Sequence, residues 1–302
     1  MNLQFVADGV LIGAMIGLGA IGVTLTYSIL RFANFAHGEF ISWGAYAALS
    51  LAGAIGFLFG GRIEPLGPFS FGWSVLLAGI AAMALTGILA VALDRVLFRS
   101  LRRSGNAIVL VMASFGASMA LRSLLEFVFS SRPAYFSRAI QFAIPLSFGI
   151  RVTPDQLAML GLTALLVVVM HLVMTRSFIG RAMRAVSENP PLAAIVGIDV
   201  ERVVRATWLI GGALACAAGI MAGITVQVRP YMGFELLLPL FSAAILGGIG
   251  SVPGAVIGGL IVGLGEAAAV QVVGAEFRAA IAFLFLIAVL LVRPAGLFGA
   301  RD

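Results

Sequence analysis

Long stretches with almost no charged side chains recur along the whole chain, and they restrict the folds it can adopt. A helix needs about 20 mostly apolar residues to cross the hydrocarbon core of a bilayer. Stretches of this kind run roughly through residues 5–28, 38–58, 71–93, 107–129, 156–174 and 205–226, and a last one lies near 279–292. Because a helix satisfies its backbone hydrogen bonds within one segment, repeated stretches of this length predict a helical integral membrane protein.

The overall composition supports this prediction. Hydrophobic residues make up 61% of the 302 residues and charged residues only 11%, and the mean hydropathy is +1.11. Soluble domains carry about 25% charged residues, so this chain has too few charges to cover a globular surface in water. We therefore expect a single transmembrane domain over residues 1–302.

A glycine-rich interruption divides one apolar stretch. Residues 236–273 are too many for one untilted crossing, and residues 247–254 (Gly-Gly-Ile-Gly-Ser-Val-Pro-Gly) break them. Glycine and proline are the least favourable residues inside a helix, so we predict two shorter helices around a break. With the other stretches, this predicts an all-α polytopic bundle of about eight to nine transmembrane segments, with broken Gly-rich helices. Glycines four apart, such as Gly9, Gly13 and Gly17, predict close helix packing.

The positive charges are unevenly distributed. The chain has 19 Lys and Arg residues, all of them Arg, and a net charge of +6. With the N-terminus outside and the broken stretch counted as two crossings, the inside loops hold Arg31, Arg95, Arg99, Arg102, Arg103, Arg176, Arg181, Arg184, Arg202, Arg205, Arg293 and Arg301, and the outside loops hold Arg62, Arg132, Arg138, Arg151, Arg229 and Arg278. Loops rich in Arg stay on the cytoplasmic side, so we attribute the basic balance to membrane topology rather than to nucleic-acid binding.

Missing residue types exclude several functions. A phosphate-binding P-loop requires a lysine, and the chain has none, so any ATP-driven work must be powered by another subunit. Schiff-base chemistry also needs lysine. The two histidines, His37 and His171, lack metal-ligand spacing, and the one cysteine, Cys216, excludes an internal disulfide. No catalytic residue, cofactor or metal site is predicted.

Polar groups at membrane depth are costly and mark candidate functional sites. The densest set is residues 31–39 (Arg-Phe-Ala-Asn-Phe-Ala-His-Gly-Glu), which is either a loop at the headgroups or a break that lines a translocation path. The path candidates are Asn34, His37, Glu39, Glu235, Gly248, Gly250, Ser251 and Glu266. Glu266 would follow the break by one short helix, 260–265. Arg122 and Glu126 are four apart on one helix and are predicted to pair.

The segment 176–203 is the largest loop predicted on the inside. Gly180 is expected to open a turn, residues 181–186 to form a short amphipathic helix, and residues 189–191 (Asn-Pro-Pro) to end it. A second short helix, 192–196, would stop at Gly197. This pattern suits either a basic loop that touches anionic lipid or a helix pair that docks into a groove on a partner.

The same loop resembles the cytoplasmic coupling loop of LivH-type permeases, the membrane subunits of branched-chain amino acid ABC importers. The likeness lies in residues 180–185 (Gly-Arg-Ala-Met-Arg-Ala), Asn189, Ala193-Ala194 and Gly197-Ile198. Three more matches occur in order along the chain: residues 34–39, the break at 247–254, and residues 293–299 (Arg-Pro-Ala-Gly-Leu-Phe-Gly). The resemblance covers essentially the whole sequence.

The resemblance implies an importer in the bacterial inner membrane with a second, LivM-type permease, two cytoplasmic ATPase subunits and an external solute-binding protein. It implies an ATPase contact at Gly180, Arg181, Arg184, Ala185, Glu188, Asn189, Ala193, Ala194, Gly197 and Ile198. Relatives serve Leu, Ile and Val, other hydrophobic amino acids, urea or short amides. The family also suggests two related halves, of which residues 38–40 (Gly-Glu-Phe) and 233–235 (Gly-Phe-Glu) are a faint sign.

Two other classes of function stay open from the residues alone. A secondary transporter would couple to protons or sodium through Glu39, Glu266 and the broken helices, but it leaves the docking loop unexplained. An intramembrane serine protease would use Ser118 and His171 as a nucleophile and base.

Overall fold

The computed structural model describes residues 3–59, 66–102, 105–137, 141–145, 149–292 and 296–298. Its elements are α1 (Gln4–Leu30), α2 (His37–Leu58), α3 (Trp73–Leu93), a π-helical turn (Asp94–Phe98), α4 (Arg99–Arg102), α5 (Ala107–Phe129), β1 (Ile144–Pro145), β2 (Arg151–Val152), α6 (Pro154–Arg176), α7 (Phe178–Glu188), α8 (Pro190–Ile195), α9 (Val200–Thr225), α10 (Met232–Gly247), α11 (Val252–Val273), a 3₁₀ turn (Ala275–Phe277) and α12 (Arg278–Val292). The predicted positions Arg62, Arg103, Arg138, Arg301, 293–295 and Gly299 lie outside the described residues.

The predicted helical membrane fold is confirmed. Within the described residues, seven helices are long and apolar enough to cross a bilayer, and two shorter apolar helices, Met232–Gly247 and Ala280–Val292, join them. The two shorter helices predicted around a break in 236–273 are present as α10, with 16 residues, and α11, with 22. Glu266 consequently lies inside one continuous helix, not after a separate short one.

Hydrogen bonds at both ends of α1 show which helices run the same way. At its start, the Gln4 side chain donates to the Arg151 carbonyl and accepts from the Arg151 N–H, at 3.0 and 2.8 Å. At its end, the Arg31 guanidinium donates to the Ser187 carbonyl of α7. Because Arg151 precedes α6 and α7 follows it, α1 and α6 are parallel. We name the two ends of the bundle after these elements, the β-hairpin end and the α7–α8 end.

Short polar side chains determine where several helices begin. Asn106, Ser177, Asn189, Asp199 and Ser251 each accept a hydrogen bond from a backbone N–H in the first turn of the helix that follows. Such caps satisfy backbone groups that lack a partner within the helix. Thr153 forms a full capping box with Gln156, so α6 starts at a sharply defined point beside the hairpin.

The glycine ridge of α1 packs against glycines of α11, the most extensive helix pairing in the structure. A Cβ atom added at Gly13 would lie 2.8 Å from the Cα of Leu260 and 2.9 Å from the carbonyl oxygen of Gly259. A Cβ atom at Gly9 would lie 2.8 Å from the Cα of Leu264. These are backbone atoms that cannot move aside, so the missing side chains let the two helices touch.

Two helices begin in the middle of the bundle instead of at its surface. After α1 the chain turns at Arg31, whose φ is 58°, and folds back so that the His37 ring reaches the Gly19 carbonyl, 3.3 Å away in the middle of α1. α10 likewise starts beside α2, where Gly233 meets Gly38. Such starts are tolerated only where protein surrounds the irregular backbone.

Replacing Gly13 with Ala should separate α1 from α11 and destabilise the fold by about 1–3 kcal/mol, the usual cost of overpacking. The matched control is Gly161→Ala on α6, where an added Cβ meets nothing within 4 Å and the better helix propensity of Ala should leave stability unchanged or slightly higher. Thermal unfolding of the purified protein in detergent measures both. Equal unfolding temperatures for the two variants would contradict the packing argument.

Candidate functional site

The first turns of α2 and α10 cross in direct backbone contact. A Cβ atom on Gly38 would lie 2.6 Å from the Gly233 carbonyl oxygen, and a Cβ atom on Gly233 would overlap the Gly38 carbonyl. The Ser42 hydroxyl joins the two segments, because it donates to the Pro230 carbonyl at 2.9 Å and accepts from the Gly233 N–H at 3.0 Å. The two segments whose sequences are faintly alike therefore meet at one point.

Glu39 lies in this crossing and is completely buried. Arg122 of α5 donates to its Oε1 atom through Nη2 at 2.7 Å and Nε at 3.2 Å, and the Ser118 hydroxyl donates to the same oxygen at 2.9 Å. Ser118 is at the middle of α5, so this ion pair sits about halfway across the bundle. The predicted pair of Arg122 with Glu126 is wrong, because the guanidinium reaches across to α2 instead.

Aromatic rings cover the other side of the arginine. The guanidinium carbon of Arg122 lies 4.5 Å from the ring centre of Tyr231 and 4.2 Å from that of Phe234. Cation–π contacts of this kind contribute about 2 kcal/mol when water is excluded. The charge of Arg122 is therefore held between a carboxylate on α2 and two rings at the start of α10.

After the exposed Arg31, the segment between α1 and α2 is buried or half-buried in the protein. Asn34 is 3% exposed, and its Oδ1 accepts from the Ala36 N–H at 3.1 Å. The Phe35 N–H donates to the Ser114 hydroxyl at 3.1 Å. Side chains thus satisfy the irregular backbone, while the Asn34 Nδ2 atom has no hydrogen-bond partner within the described residues.

The second break, between α10 and α11, is a tight turn fixed by α1. Gly248 and Gly250 have φ angles of 96° and 90°, a region that favours glycine. The Gly250 N–H donates to the Thr24 hydroxyl at 2.7 Å, and Ser251 caps α11 by accepting from the Gly254 N–H at 3.1 Å. The predicted break is confirmed, and its three path candidates lie in one turn.

The remaining carboxylate candidates lie apart from Glu39. Glu266 is 1% exposed, with one oxygen 3.9 Å from the Arg278 Nε and the other without a hydrogen-bond partner within the described residues. Glu235 is about half exposed and pairs with Arg229 at 3.0 Å. The structure therefore places Asn34, His37 and Glu39 in one buried segment, whereas Glu235 and Glu266 pair with other arginines, Arg229 and Arg278.

The loop 176–203 forms the two predicted helices, α7 and α8. Asn189 ends α7 and caps α8 by accepting from the Leu192 N–H at 3.0 Å, and Gly197 follows α8 with a φ of 88°. Gly180 does not open a turn: it lies in α7, where an added Cβ would be 2.6 Å from the Cα of Met174. Its role is the close approach of α7 to the end of α6.

The surface of this helix pair differs from the expected one. Of the residues implied in the ATPase contact, Ala193 is buried and Ala185 is only partly exposed. The exposed apolar side chains are Phe178 at the start of α7 and Leu192, Ile195 and Val196 in or just after α8, with Ile195 82% exposed. Arg181, Arg184, Glu188, Asn189 and Ala194 are exposed around them, with Ile198 partly so. The apolar surface of the pair is therefore larger than the alanines indicate.

α7 lies next to both breaks. Its Ser187 carbonyl accepts from Arg31, the residue that ends α1. Its Met183 and Ser187 also line a small cavity together with Ser28 and Gly250. α7 therefore contacts the turn before α2 and borders the turn before α11.

The sequence alone did not indicate several residues that surround the Glu39–Arg122 pair. Ser118 entered only as an enzyme nucleophile, but its hydroxyl is bound to Glu39, while His171 is exposed on α6. No hydrogen bond joins Ser118 to His171 in the described part of the chain. A signal for Ser118 existed: it is four residues before Arg122, so the two polar groups share one face of α5. Nothing local indicated Tyr231 or Phe234.

Comparison with known proteins agrees with this architecture. The family model described as branched-chain amino acid transport system / permease component matches residues 5–292. The high-affinity branched-chain amino acid transport system permease protein LivH of Escherichia coli K12 is 34% identical over 99% of this chain and 96% of its own. BraD of Pseudomonas aeruginosa, which carries the same description, is 33% identical with the same coverage. The probable branched-chain amino acid transport permease protein LivH of Methanocaldococcus jannaschii is 27% identical over 98% and 92% of the two chains. The chain thus belongs to the family of branched-chain amino acid transport permease components.

Proposed function

We propose that the chain is the membrane subunit of an ABC importer that moves branched-chain or other hydrophobic amino acids into the cell across the bacterial inner membrane. The observation that carries this proposal is the similarity to LivH and BraD over nearly their full length. Permeases for urea or short amides are the alternative within the family. An ion-coupled secondary transporter accounts less well for the paired helices α7 and α8.

The importer needs four further subunits. A second, LivM-type permease, two cytoplasmic ATPases and an external solute-binding protein complete it, and the ATPases supply the energy because this chain has no lysine for a P-loop. The arginines of the α7–α8 end support its placement on the cytoplasmic side. These arginines are Arg31, Arg95, Arg99, Arg102, Arg176, Arg181, Arg184, Arg202 and Arg205.

In this proposal the translocation path passes the crossing of α2 and α10. Helix starts at mid-bundle are a feature of transporter substrate sites, and the buried residues Asn34, His37 and Glu39 cluster at one of them. Phe35 belongs to the same segment, and its ring centre lies 5.9 Å from the ring centre of Phe115 and 5.9 Å from that of Phe241. An apolar wall of this kind suits hydrophobic amino acids.

The ATPase contact is the α7–α8 pair. Its exposed apolar residues suit insertion into a groove on a partner, and its arginines suit acidic residues at the rim of that groove. Because α7 touches Arg31 and the turn at Gly250, a push on this pair reaches both breaks.

The energy requirement can be measured in purified proteins. The chain alone should hydrolyse no ATP above background, whereas proteoliposomes that contain both permeases, the ATPases and the binding protein should take up leucine only when ATP is inside. Urea offered in place of leucine serves as the matched substrate control. Leucine uptake without ATP, or driven by a sodium or proton gradient, would contradict the importer assignment.

Replacing Glu39 with Gln should abolish transport and destabilise the protein by about 3–5 kcal/mol, because Arg122 is left as an unpaired buried charge. The double variant Glu39→Gln with Arg122→Gln should regain much of the stability without regaining transport. Glu276→Gln, an exposed carboxylate in the 3₁₀ turn, is the matched control. Unfolding in detergent and leucine uptake separate the two effects. Full leucine uptake by the double variant would show that transport does not need the Glu39–Arg122 pair.

Replacing Ile195 with Glu should prevent co-purification of the ATPase, because a charge would enter the apolar contact, while folding should survive since the side chain is already in water. Val226→Glu is the matched control, an equally apolar and well-exposed position at the β-hairpin end. ATPase recovered per permease and leucine-stimulated hydrolysis report the result. If the ATPase is recovered normally with the Ile195→Glu variant, α7 and α8 are a solvated connection and not the ATPase contact.

A further inference from the structure

A cleft lined by arginines lies at the α7–α8 end, between the π-helical turn that follows α3 and the start of α9. Its lining residues are Val91, Asp94, Arg95, Arg99, Arg102, Glu201, Val204 and Arg205. Four guanidinium groups thus face two carboxylates, and the cleft has an excess of positive charge. None of these residues belongs to the predicted ATPase contact, which lies within residues 180–198, or to the path candidates.

The carboxylates hold the arginines in fixed positions. Asp94 is buried and binds the Arg102 guanidinium through both of its oxygens. Glu201 binds Arg99 at 2.7 Å and lies 3.8 Å from Arg205. Bidentate arginine pairs of this kind fix the orientation of the planar guanidinium. The arginines are therefore arranged before any ligand arrives.

Arg95 supplies charge that the cleft does not neutralise. It is exposed and forms no hydrogen bond or ion pair within the described residues. Arg205 forms loose ion pairs with Glu201 at 3.8 Å and with Asp199 at 4.0 Å, but its guanidinium donates no hydrogen bond within the described residues. Guanidinium groups match the geometry of phosphate oxygens and bind them through paired N–H groups. The cleft thus has free donors for an anion with several oxygens.

The position along α3 places this cleft at the edge of the bilayer. Trp73, which starts α3, is 64% exposed, as is typical of aromatic residues at a membrane interface. Arg95 lies about 33 Å further along at about 1.5 Å per residue, which is close to the thickness of the hydrocarbon core, about 30 Å. The other interface therefore passes through the cleft.

The flank of the cleft is apolar and open. Val96 is 81% exposed next to Arg95, and Ile88 and Leu85 are also exposed on α3. An acyl chain can lie along this surface while its headgroup reaches the arginines. The cleft is therefore continuous with a surface of α3 that faces the acyl chains of the bilayer, and it is within reach of a lipid headgroup.

We propose that this cleft binds the phosphate group of an anionic phospholipid, with Arg95 and Arg205 as its main donors. Basic pockets between transmembrane helices on the cytoplasmic side suit such headgroups. Arg99 and Arg102, held by their carboxylates, add to the positive field. The bound lipid joins the end of α3 to the start of α9 and so fixes the position of the helix that follows the α7–α8 pair.

Native mass spectrometry of the purified protein with phosphatidylglycerol and phosphatidylcholine tests the proposal. Wild-type protein should retain phosphatidylglycerol in preference to phosphatidylcholine. The double variant Arg95→Gln with Arg205→Gln should lower the apparent affinity for phosphatidylglycerol about tenfold, the effect of losing about 1.4 kcal/mol of binding. The charge-matched control is Arg132→Gln with Arg176→Gln, two exposed arginines outside the cleft, which should bind like wild type.

Several results would overturn the proposal. Equal retention of the two lipids by wild-type protein needs no variant and excludes a selective site. Equal affinity in both double variants places the lipid elsewhere. Protection of wild-type protein against thermal unfolding by inorganic phosphate or glycerol 3-phosphate, at the concentration where phosphatidylglycerol protects, assigns the cleft to a soluble anion. If the variant Arg95→Gln with Arg205→Gln retains lipid like wild type but no longer co-purifies with the ATPase, the cleft is an ATPase contact.

Discussion

The backbone contact between Gly38 and Gly233 is the constraint on which the rest of the site depends. Two helices can begin side by side in the middle of a membrane protein only if their backbones nearly touch, and any side chain at these two positions would occupy the space of a carbonyl group. The contact sets Glu39 opposite Arg122 and brings Tyr231 and Phe234 over the same guanidinium. Close packing therefore places a full ion pair at a depth where an isolated charge would be prohibitive.

The features that follow from local sequence could be predicted. The apolar stretches, a break within residues 247–254 and the two helices after Arg176 depend on residues close together in the chain, and the sequence predicts all three. The partner of Arg122 could not be found this way. Spacing along one helix indicated Glu126, but the low dielectric of the interior favours whichever carboxylate is buried with the arginine, and that one comes from α2, over 80 residues away.

Burial also decides what sequence alone left open on the coupling surface. An alanine on a short helix can belong to a surface that contacts a partner or to the packed interior. Only the packing of α8 against α9 shows that Ala193 points inward. The same docking turns Leu192, Ile195 and Val196 outward. The pattern of two helices was predictable, whereas the face presented to solvent depends on how the pair packs on the bundle.

The end of α10 has a consequence for how the chain is assembled. Its last carbonyls, those of Leu246 and Gly247, accept hydrogen bonds from the N–H groups of Leu297 and Phe298, at 2.8 and 3.1 Å. These donors leave the ribosome only after α11 and α12 have been made. Since the last carbonyls of a helix have no partner within it, α10 obtains these two hydrogen bonds only from a segment made after the rest of the bundle. The end of α10 and the segment after α12 therefore depend on each other.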